Sequence, residues 1–361
     1  ICTVTNDLVY DQRMQRICTS LQNNNYDVEL VGRILPNSNS VSKQSFAQTR
    51  LKCFFNKGFL FYAEFNIRLF FFLLFTDFDI VCGCDLDTLA AAVLVAKLKR
   101  KKVVYDAHEY FPESPELIGK PFKQSIWNFI EKLFVTRVDS LYTVTNSIAQ
   151  LFNKKYKVDC KLVRNLPAKN KSEIINHKSQ ILLYQGAVNL GRGLNEMLLT
   201  MLKIENAEFH IAGDGDEMEN IKYKIKELNL ENKVKLLGKK TPDELKQITQ
   251  QAYIGINLLE NRGLSYYYSL GNKTFDYIQA GIPQVVIGFP EYIELNKQYN
   301  IGVVVEEFTI DNIVQAIQKL INDKALYQQL QQNCLKARVE LCWENEEQKL
   351  ISIYERLMIN N

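Results

Sequence analysis

Two glycine-containing turns in the second half of the sequence combine exposed backbone amides with positive charge. The first runs from Gly186 to Gly193 and contains Arg192, and the second contains Gly213 and Gly215. Turns of this kind between a strand and a helix direct N–H groups and a helix N-terminus at an anion. The guanidinium adds a fixed charge suited to a diphosphate. A tight turn between a strand and a helix also requires glycine for steric reasons alone. Neither turn by itself therefore identifies a phosphate-binding site.

A third segment, residues 266–283, leads from a polar loop through a short helix and into a strand. The amides of Gly271 and Asn272 would face an anion at the start of that helix, and Lys273 would add charge. Asp276, one turn further along, could accept hydrogen bonds from two vicinal hydroxyls, as a ribose-binding carboxylate does. The three segments together predict a site for a nucleoside diphosphate.

The first half contains two smaller groups of ionisable residues. His108 and Glu109 follow a predicted strand that ends at Asp106, and Asp11 and Arg13 lie in the loop after the first predicted strand. A lone histidine after a strand is commonly a structural hydrogen-bonding residue, so the residues alone leave its role open. Glu109 could position a substrate or bind His108.

The length of the chain predicts more than one domain. At 361 residues it exceeds the usual size of a single hydrophobic core, and a polar, proline-containing segment at 165–172 is typical of a linker. We expect an N-terminal domain at 1–165 and a C-terminal domain at 166–342, with a cleft between them. An amphipathic last helix, 343–361, would join the first domain.

Short β-rich runs alternate with helix-compatible segments, which predicts an α/β fold with parallel sheets. The strands are expected near residues 1–5, 28–32, 79–83, 102–106, 140–145, 161–164, 181–185, 208–212, 233–236, 253–258, 284–287 and 302–305. Thr241, followed by Pro242 and Glu244, predicts a helix start with a capping box.

These motifs resemble, in order, those of the family-four retaining glycosyltransferases of the GT-B fold. That family has a glycine turn with a basic residue, a Gly-x-Gly turn and an acidic residue five positions before Gly-x-Pro, as Asp276 stands before Gly281. Residues 105–109 resemble its Asp-x-His-Glu segment, residues 11–13 its opening loop, and residues 342–344 its closing segment. The resemblance covers nearly the whole chain.

The resemblance implies two Rossmann-like domains and transfer of a sugar from a UDP- or GDP-linked donor, with retention of configuration and without a metal. The implied acceptor is a glycan or lipid-linked intermediate, as in surface polysaccharide synthesis. The implied catalytic residues are His108, Glu109, Arg192 and Lys273, and Asp11 and Arg13 would bind the acceptor. The implied donor-binding residues are Gly186, Gly213, Gly215, Gly238, Lys239, Tyr268, Gly271, Asn272 and Asp276.

Two departures from the family pattern leave alternatives open. Tyr268 stands where the family commonly has a glutamate that contacts the donor sugar, and Ala187 stands where a basic residue often follows the first glycine. Lys273 could replace the missing cation. A nucleotide-sugar epimerase of the same architecture and a catalytically silent scaffold in a glycan-assembly complex are the two alternatives.

The amino-acid composition limits the cofactors and partners that we expect for this chain. The eight cysteines form no regular framework and the histidines are scattered, so we expect reduced thiols, no zinc site and a cytoplasmic location. Residues 1–165 carry 22 basic and 16 acidic residues, which favours an anionic partner or the inner face of an anionic membrane. The apolar segment 59–75 is expected to be either a packed helix or a membrane-surface helix. No nucleic-acid-binding signature is present.

Overall fold

The computed structural model describes residues 1–9, 11–36, 38–170 and 179–359. The chain divides into two compact units, one of residues 1–165 with the segment from 346 onward, the other of residues 166–345. Each unit contains a parallel sheet and helices, so the predicted α/β class is confirmed. Residues 171 and 172 of the predicted linker, and the last two residues of the predicted closing helix, lie outside the described residues.

The N-terminal unit is built on a parallel sheet. Its strands are β1 Cys2–Thr3, β2 Glu29–Ile34, β3 Ala47–Lys52, β4 Ile80–Cys84, β5 Lys102–Ala107, β6 Ser140–Thr143 and β7 Cys160–Leu162. They are arranged in the order β3-β2-β1-β4-β5-β6-β7. Its helices are α1 Gln12–Asn23, α2 Gly58–Phe75, α3 Leu86–Lys99, α4 Pro121–Phe134 and α5 Asn146–Tyr156.

The C-terminal unit is built in the same way. Its strands are β8 Ile181–Gln185, β9 Glu208–Ala212, β10 Val234–Leu236, β11 Ile254–Asn257, β12 Gln284–Ile287 and β13 Gly302–Val305, in the order β10-β9-β8-β11-β12-β13. Its helices are α6 Leu194–Met201, α7 Met218–Glu227, α8 Pro242–Gln251, α9 Leu264–Tyr267, α10 Asn272–Ala280, α11 Pro290–Tyr299, α12 Ile310–Asn322 and α13 Lys324–Glu340. Helix α14, Trp343–Ile359, follows, and most of it belongs to the N-terminal unit.

Each sheet has a switch point, where the order of successive strands changes direction. The candidate site residues of each unit lie beside its switch point. In the N-terminal sheet the reversal is between β1 and β4, and in the C-terminal sheet it is between β8 and β11. The loops at the carboxyl ends of strands beside such a point form a crevice in open α/β sheets. The predicted site residues His108 and Glu109 follow β5, the turn from Gly186 to Gly193 follows β8, and the segment 266–283 follows β11. The topology therefore places one group beside the crevice of the N-terminal unit and two beside the crevice of the C-terminal unit.

Local sequence signals explain several element boundaries. The capping box predicted at the start of α8 is present, with the Thr241 side chain and Glu244 bonded reciprocally to each other's backbone amides. Asp11 caps α1 by accepting a hydrogen bond from the amide of Met14. All eight cysteines are free thiols. Strand β3 was not predicted from the sequence, because it is a partly exposed edge strand with mixed polarity.

Candidate functional site

The turn after β8 places a glycine and an arginine at the crevice of the C-terminal unit. Gly186 has a φ of +127°, which favours glycine, and the nearest atom to a Cβ built there would be Cε of Lys273 at 3.8 Å. Gly193, with φ +68°, is the N-cap of α6, and Arg192 directly precedes it. The backbone at Gly186 is therefore open toward Lys273.

Lys273 is a buried basic residue that has no anionic partner within the described ranges. Its Nζ lies 3.6 Å from the centroid of the Tyr184 ring and has no hydrogen-bond partner among the described residues. Burial and the charge of Arg192 lower the pKa of Lys273 well below its ordinary value. An unpaired ammonium in a buried position is costly, and a bound anion would offset that cost.

Arg192 is the second cation of this group. Its guanidinium lies 4.6 Å from the centroid of the Tyr266 ring, and its Nε is buried with no hydrogen-bond partner among the described residues. The two cations are close enough for the charge of Arg192 to lower the pKa of Lys273. Both rest on aromatic faces, an arrangement that holds a cation without neutralising it.

Asp276 is held in place by a relay of side chains. Nε2 of Gln185 donates to Oδ2 of Asp276 at 2.8 Å, and the hydroxyl of Thr249 donates to Oε1 of the same glutamine at 2.7 Å. Asp276 is half-buried, whereas Gln185 and Thr249 are buried. The carboxylate predicted to bind a ribose is therefore oriented by two buried side chains that the sequence reading did not identify.

Gly271 has a different role from the one predicted. Its amide donates to the hydroxyl of Tyr292 at 2.9 Å, so it is not free to bind a diphosphate. Asn272, the first residue of α10, is exposed. The anion-binding prediction for the start of this helix is corrected at Gly271 and stays a prediction at Asn272.

The glycines of the second turn are explained by packing between two loops. A Cβ at Gly213 would lie 1.8 Å from the carbonyl oxygen of Gly186, and one at Gly215 would lie 2.5 Å from that of Val188. These distances are impossible, so glycine is required for steric reasons. Both glycines were predicted to border the donor; the structure accounts for them without a ligand.

The remaining predicted donor residues lie at loop positions. Gly238 has a φ of +68° with nothing within 4 Å of a built Cβ, and Lys239 beside it is exposed. Tyr268, at the end of α9, is half-buried, and its ring lies edge-on to that of Tyr267 at 5.1 Å. Their contacts with a donor stay predictions.

In the N-terminal unit, His108 lies between two carboxylates. Its Nε2 is 3.1 Å from Oδ2 of Asp106, and its Nδ1 is 3.3 Å from Oδ2 of Asp85. Burial alone would lower the pKa of His108, but the two carboxylates raise it well above its ordinary value. Both ring nitrogens thus face a carboxylate oxygen, which favours the protonated imidazolium. The predicted neighbour Glu109 is half-buried.

Arg13 and Asp11 have structural roles that were not predicted. Arg13 is buried, with Nη2 2.8 Å from Oδ1 of Asp106, and Asp11 caps α1. Burial would raise the pKa of Asp106, but Arg13 and His108 lower it to about 2. Acceptor contact stays a prediction for Asp11, whereas the guanidinium of Arg13 is buried against Asp106 and acts through it on His108.

Two acidic residues after β4 belong to the same crevice. Asp85 has a φ of +59°, an uncommon backbone for a non-glycine residue, and its Oδ1 accepts from the amide of His108 at 2.8 Å. Asp87 is buried and accepts from the hydroxyl of Thr5 at 2.6 Å. Burial and the charge of Asp85 raise the pKa of Asp87 to about 7.

Cys84, Asp106 and His108 bring three possible metal-ligand atoms within 4.8 Å of one another. The guanidinium of Arg13 already neutralises Asp106, and burial raises the pKa of the Cys84 thiol well above its ordinary value. A neighbouring cation and a protonated thiol both disfavour a divalent metal. The structure fits this group better as a set of ion pairs.

Two family models match consecutive parts of the chain. Residues 12–166 match the model described as Glycosyltransferase Family 4, and residues 167–337 match Glycosyl transferases group 1. The boundary between the two matches falls one residue from the boundary between the two units.

Curated relatives are distant and longer than the matched segment. An uncharacterized glycosyltransferase of Methanocaldococcus jannaschii is 23% identical over 188 residues, covering 51% of this chain and 47% of the relative. The poly(glycerol-phosphate) alpha-glucosyltransferase of Bacillus subtilis is 27% identical over 154 residues, covering 41% of this chain and 21% of the relative. The matches thus span less than half of each relative.

Solved structures share the fold over almost the whole chain. Sucrose-phosphate synthase from Thermosynechococcus elongatus has a TM-score of 0.79 and 16% identity, covering 96% of this chain and 93% of its own. Anabaena HepE in complex with UDP and glucose has a TM-score of 0.76 and 11% identity, covering 98% of each chain. At this identity the likeness establishes the fold.

Proposed function

This chain belongs to the family-four type of GT-B glycosyltransferases, and we propose that it transfers a sugar from a nucleoside-diphosphate sugar to a glycan or lipid-linked acceptor. The proposed donor is UDP- or GDP-linked. Its binding site is the crevice of the C-terminal unit. Retention of configuration and independence from a metal are part of the proposal, and the resemblance to the family supports them.

One observation carries the donor assignment: Lys273 and Arg192 lie beside the Gly186 turn, and neither has an ion-pair partner among the described residues. Lys273 is buried and unpaired among the described residues, and Arg192 repels it electrostatically. Two adjacent positive charges in a partly buried place favour a ligand with two negative charges. A diphosphate fits this requirement, and the similar Anabaena structure contains UDP.

The same arrangement suggests how the chain would promote the reaction. Negative charge develops on the diphosphate as the bond to the sugar breaks, and fixed cations stabilise that charge without reorganising. We assign this role to Lys273 and Arg192, and we assign the ribose to Asp276. In the N-terminal unit, His108 would contribute the fixed charge of its imidazolium, because both of its ring nitrogens are already paired.

Thermal unfolding with nucleotides tests the donor site. A ligand at 100 times its dissociation constant stabilises the folded state by about 2.7 kcal/mol, so UDP or GDP should raise the unfolding temperature of the wild-type protein. The rise should disappear in Arg192→Ala. Lys203→Met is the matched control, because Lys203 is exposed and paired with Asp311 in the same unit.

The result that would overturn the proposal is a wild-type protein that no nucleoside diphosphate stabilises, or an Arg192→Ala variant that responds fully. Product analysis with the donor alone separates transfer from the epimerase alternative, because an epimerase releases a rearranged sugar nucleotide without an acceptor. Sustained donor turnover would dismiss the scaffold alternative.

A further inference from the structure

Three neighbouring helices of the N-terminal unit expose large apolar side chains. Helix α3 packs against both α2 and α4, and the three carry exposed apolar residues on their outer sides. They include Ile67, Phe71 and Phe75 of α2, Leu98 of α3, and Phe122 and Phe129 of α4, each between 53% and 83% exposed. We call this set the apolar face. Folded monomers rarely expose large contiguous apolar patches without a use for them.

Helix α2 is apolar on both sides, although only one side is covered by the described residues. Phe65 and Leu69 pack inward and are fully buried, whereas Ile67 and Phe71 project from the opposite side. By length and composition alone α2 could cross a bilayer. Its packing on α3 instead fixes it as a surface helix, because crossing would expose the sheet beneath it.

The loop before α2 holds another aromatic residue at the surface. Glu64 accepts hydrogen bonds from the amides of Phe54 and Phe55 at 2.9 Å, and Arg68 donates to Glu64 at 2.8 Å. Phe54 is nevertheless 80% exposed. The polar contacts thus anchor the loop while leaving the aromatic ring in solvent.

The charges on these helices are complementary to an anionic surface. Their acidic residues are Glu64, Asp87 and Glu131; the first is paired with Arg68 and the other two are buried. Lys123 and Lys132 of α4 are exposed. Basic side chains beside exposed aromatic and aliphatic residues are typical of elements that lie in the interface of an anionic bilayer.

We propose that the apolar face docks on the surface of an anionic lipid bilayer, with the exposed residues of α2 and α4 inserted among the headgroups. This inference is independent of the donor site, because none of these residues belongs to the crevice of the C-terminal unit. A membrane-bound enzyme would meet a lipid-linked acceptor at the surface where that acceptor resides.

Sedimentation with vesicles tests the proposal. Wild-type protein should bind vesicles of phosphatidylcholine with roughly one-third phosphatidylglycerol, and should bind pure phosphatidylcholine more weakly. Phe71→Ser/Phe75→Ser should reduce binding to the anionic vesicles at least tenfold. The matched control is Leu202→Ser/Tyr223→Ser, which changes two exposed apolar residues of the C-terminal unit and should bind as the wild type does.

Each other outcome counts against the proposal. The proposal fails if the wild-type protein does not bind anionic vesicles, or if Phe71→Ser/Phe75→Ser binds them as well as the control variant does. A wild-type dimer that the same variant dissociates, without vesicle binding, would show that the face is a contact between copies of this chain. Stabilisation by nucleotide should be the same in the variant and the wild type, so failure here is distinct from failure of the donor site.

Discussion

The ammonium group of Lys273 lies 3.6 Å from the centre of the Tyr184 ring and donates no hydrogen bond to any described residue. Replacing it with methionine keeps the volume and removes the charge. Lys273→Met should lower kcat/KM on the order of 100-fold or more, because a fixed charge near the leaving group is lost. Unfolding without ligand should occur at the same temperature or higher, since an unpaired buried charge is removed. An active Lys273→Met would contradict the assignment.

Donor binding should take up a proton at pH values between the depressed pKa of Lys273 in the free protein and its pKa in the complex. The pKa of Lys273 in the free protein is well below its ordinary value because of burial and Arg192, and a bound diphosphate would raise it again. The affinity for UDP or GDP should therefore fall as the pH rises through the depressed pKa. Calorimetry in buffers of different ionisation enthalpy measures the uptake. Binding in Lys273→Met should lose this proton coupling, and a wild-type enthalpy independent of buffer throughout would contradict the prediction.

Gln185→Leu should weaken donor binding at the ribose and leave the residues proposed to bind the diphosphate unchanged. The variant removes the hydrogen bond that orients Asp276, and hydrogen bonds to charged groups contribute roughly 1.5–3 kcal/mol. We expect KM for the donor to rise about tenfold or more while kcat changes little. Thr249 keeps its bond to the carbonyl of Leu245, so the fold should survive. Gln298→Leu, an exposed glutamine of the same unit, is the control; equal KM values would contradict the prediction.

The strands of the C-terminal unit could be predicted closely from the sequence. The four predicted as 181–185, 208–212, 284–287 and 302–305 have those bounds in the structure, because buried parallel strands are short apolar runs bounded by turns. Strand β3 could not be predicted in this way, because its exposed edge gives no apolar run.

The site was predictable only as separate segments. The sequence indicated that Arg192, Lys273 and Asp276 could bind a nucleotide. It did not indicate that the Tyr184 ring lies beneath the ammonium group of Lys273, or that Gln185 orients the Asp276 carboxylate. Such contacts join positions some ninety residues apart, and only the order of strands in the sheet brings them together. The ion pair of Arg13 was missed for the same reason, since Arg13 lies on α1 and its partner Asp106 lies on β5.

Asp87→Asn should change how stability depends on pH. The pKa of Asp87 is raised to about 7 in the folded protein, so the folded state holds a proton that the unfolded state releases near pH 4. Stability is therefore lost as pH rises from about 4 to about 7, up to about 4 kcal/mol in all. The variant should lack this loss and be more stable than wild type at pH 8, as measured by denaturant unfolding.

The control for that measurement is Asp77→Asn, because Asp77 is exposed and lies in the same unit. It should follow the wild-type stability at both pH 5 and pH 8. The interpretation of Asp87 would be contradicted if Asp87→Asn lowered stability equally at both pH values, since that would indicate a lost hydrogen bond with Thr5 and no titration.

Gly213→Ala should be far more damaging than Gly238→Ala, although both residues lie in turns of the same unit. A Cβ at Gly213 would meet the Gly186 carbonyl oxygen at 1.8 Å, whereas one at Gly238 would meet nothing within 4 Å. Gly238→Ala then costs only the left-handed backbone, about 1–2 kcal/mol. Gly213→Ala must displace backbone and should cost several kcal/mol. Urea unfolding of both variants measures the difference, and equal midpoints would contradict the close packing of the two turns.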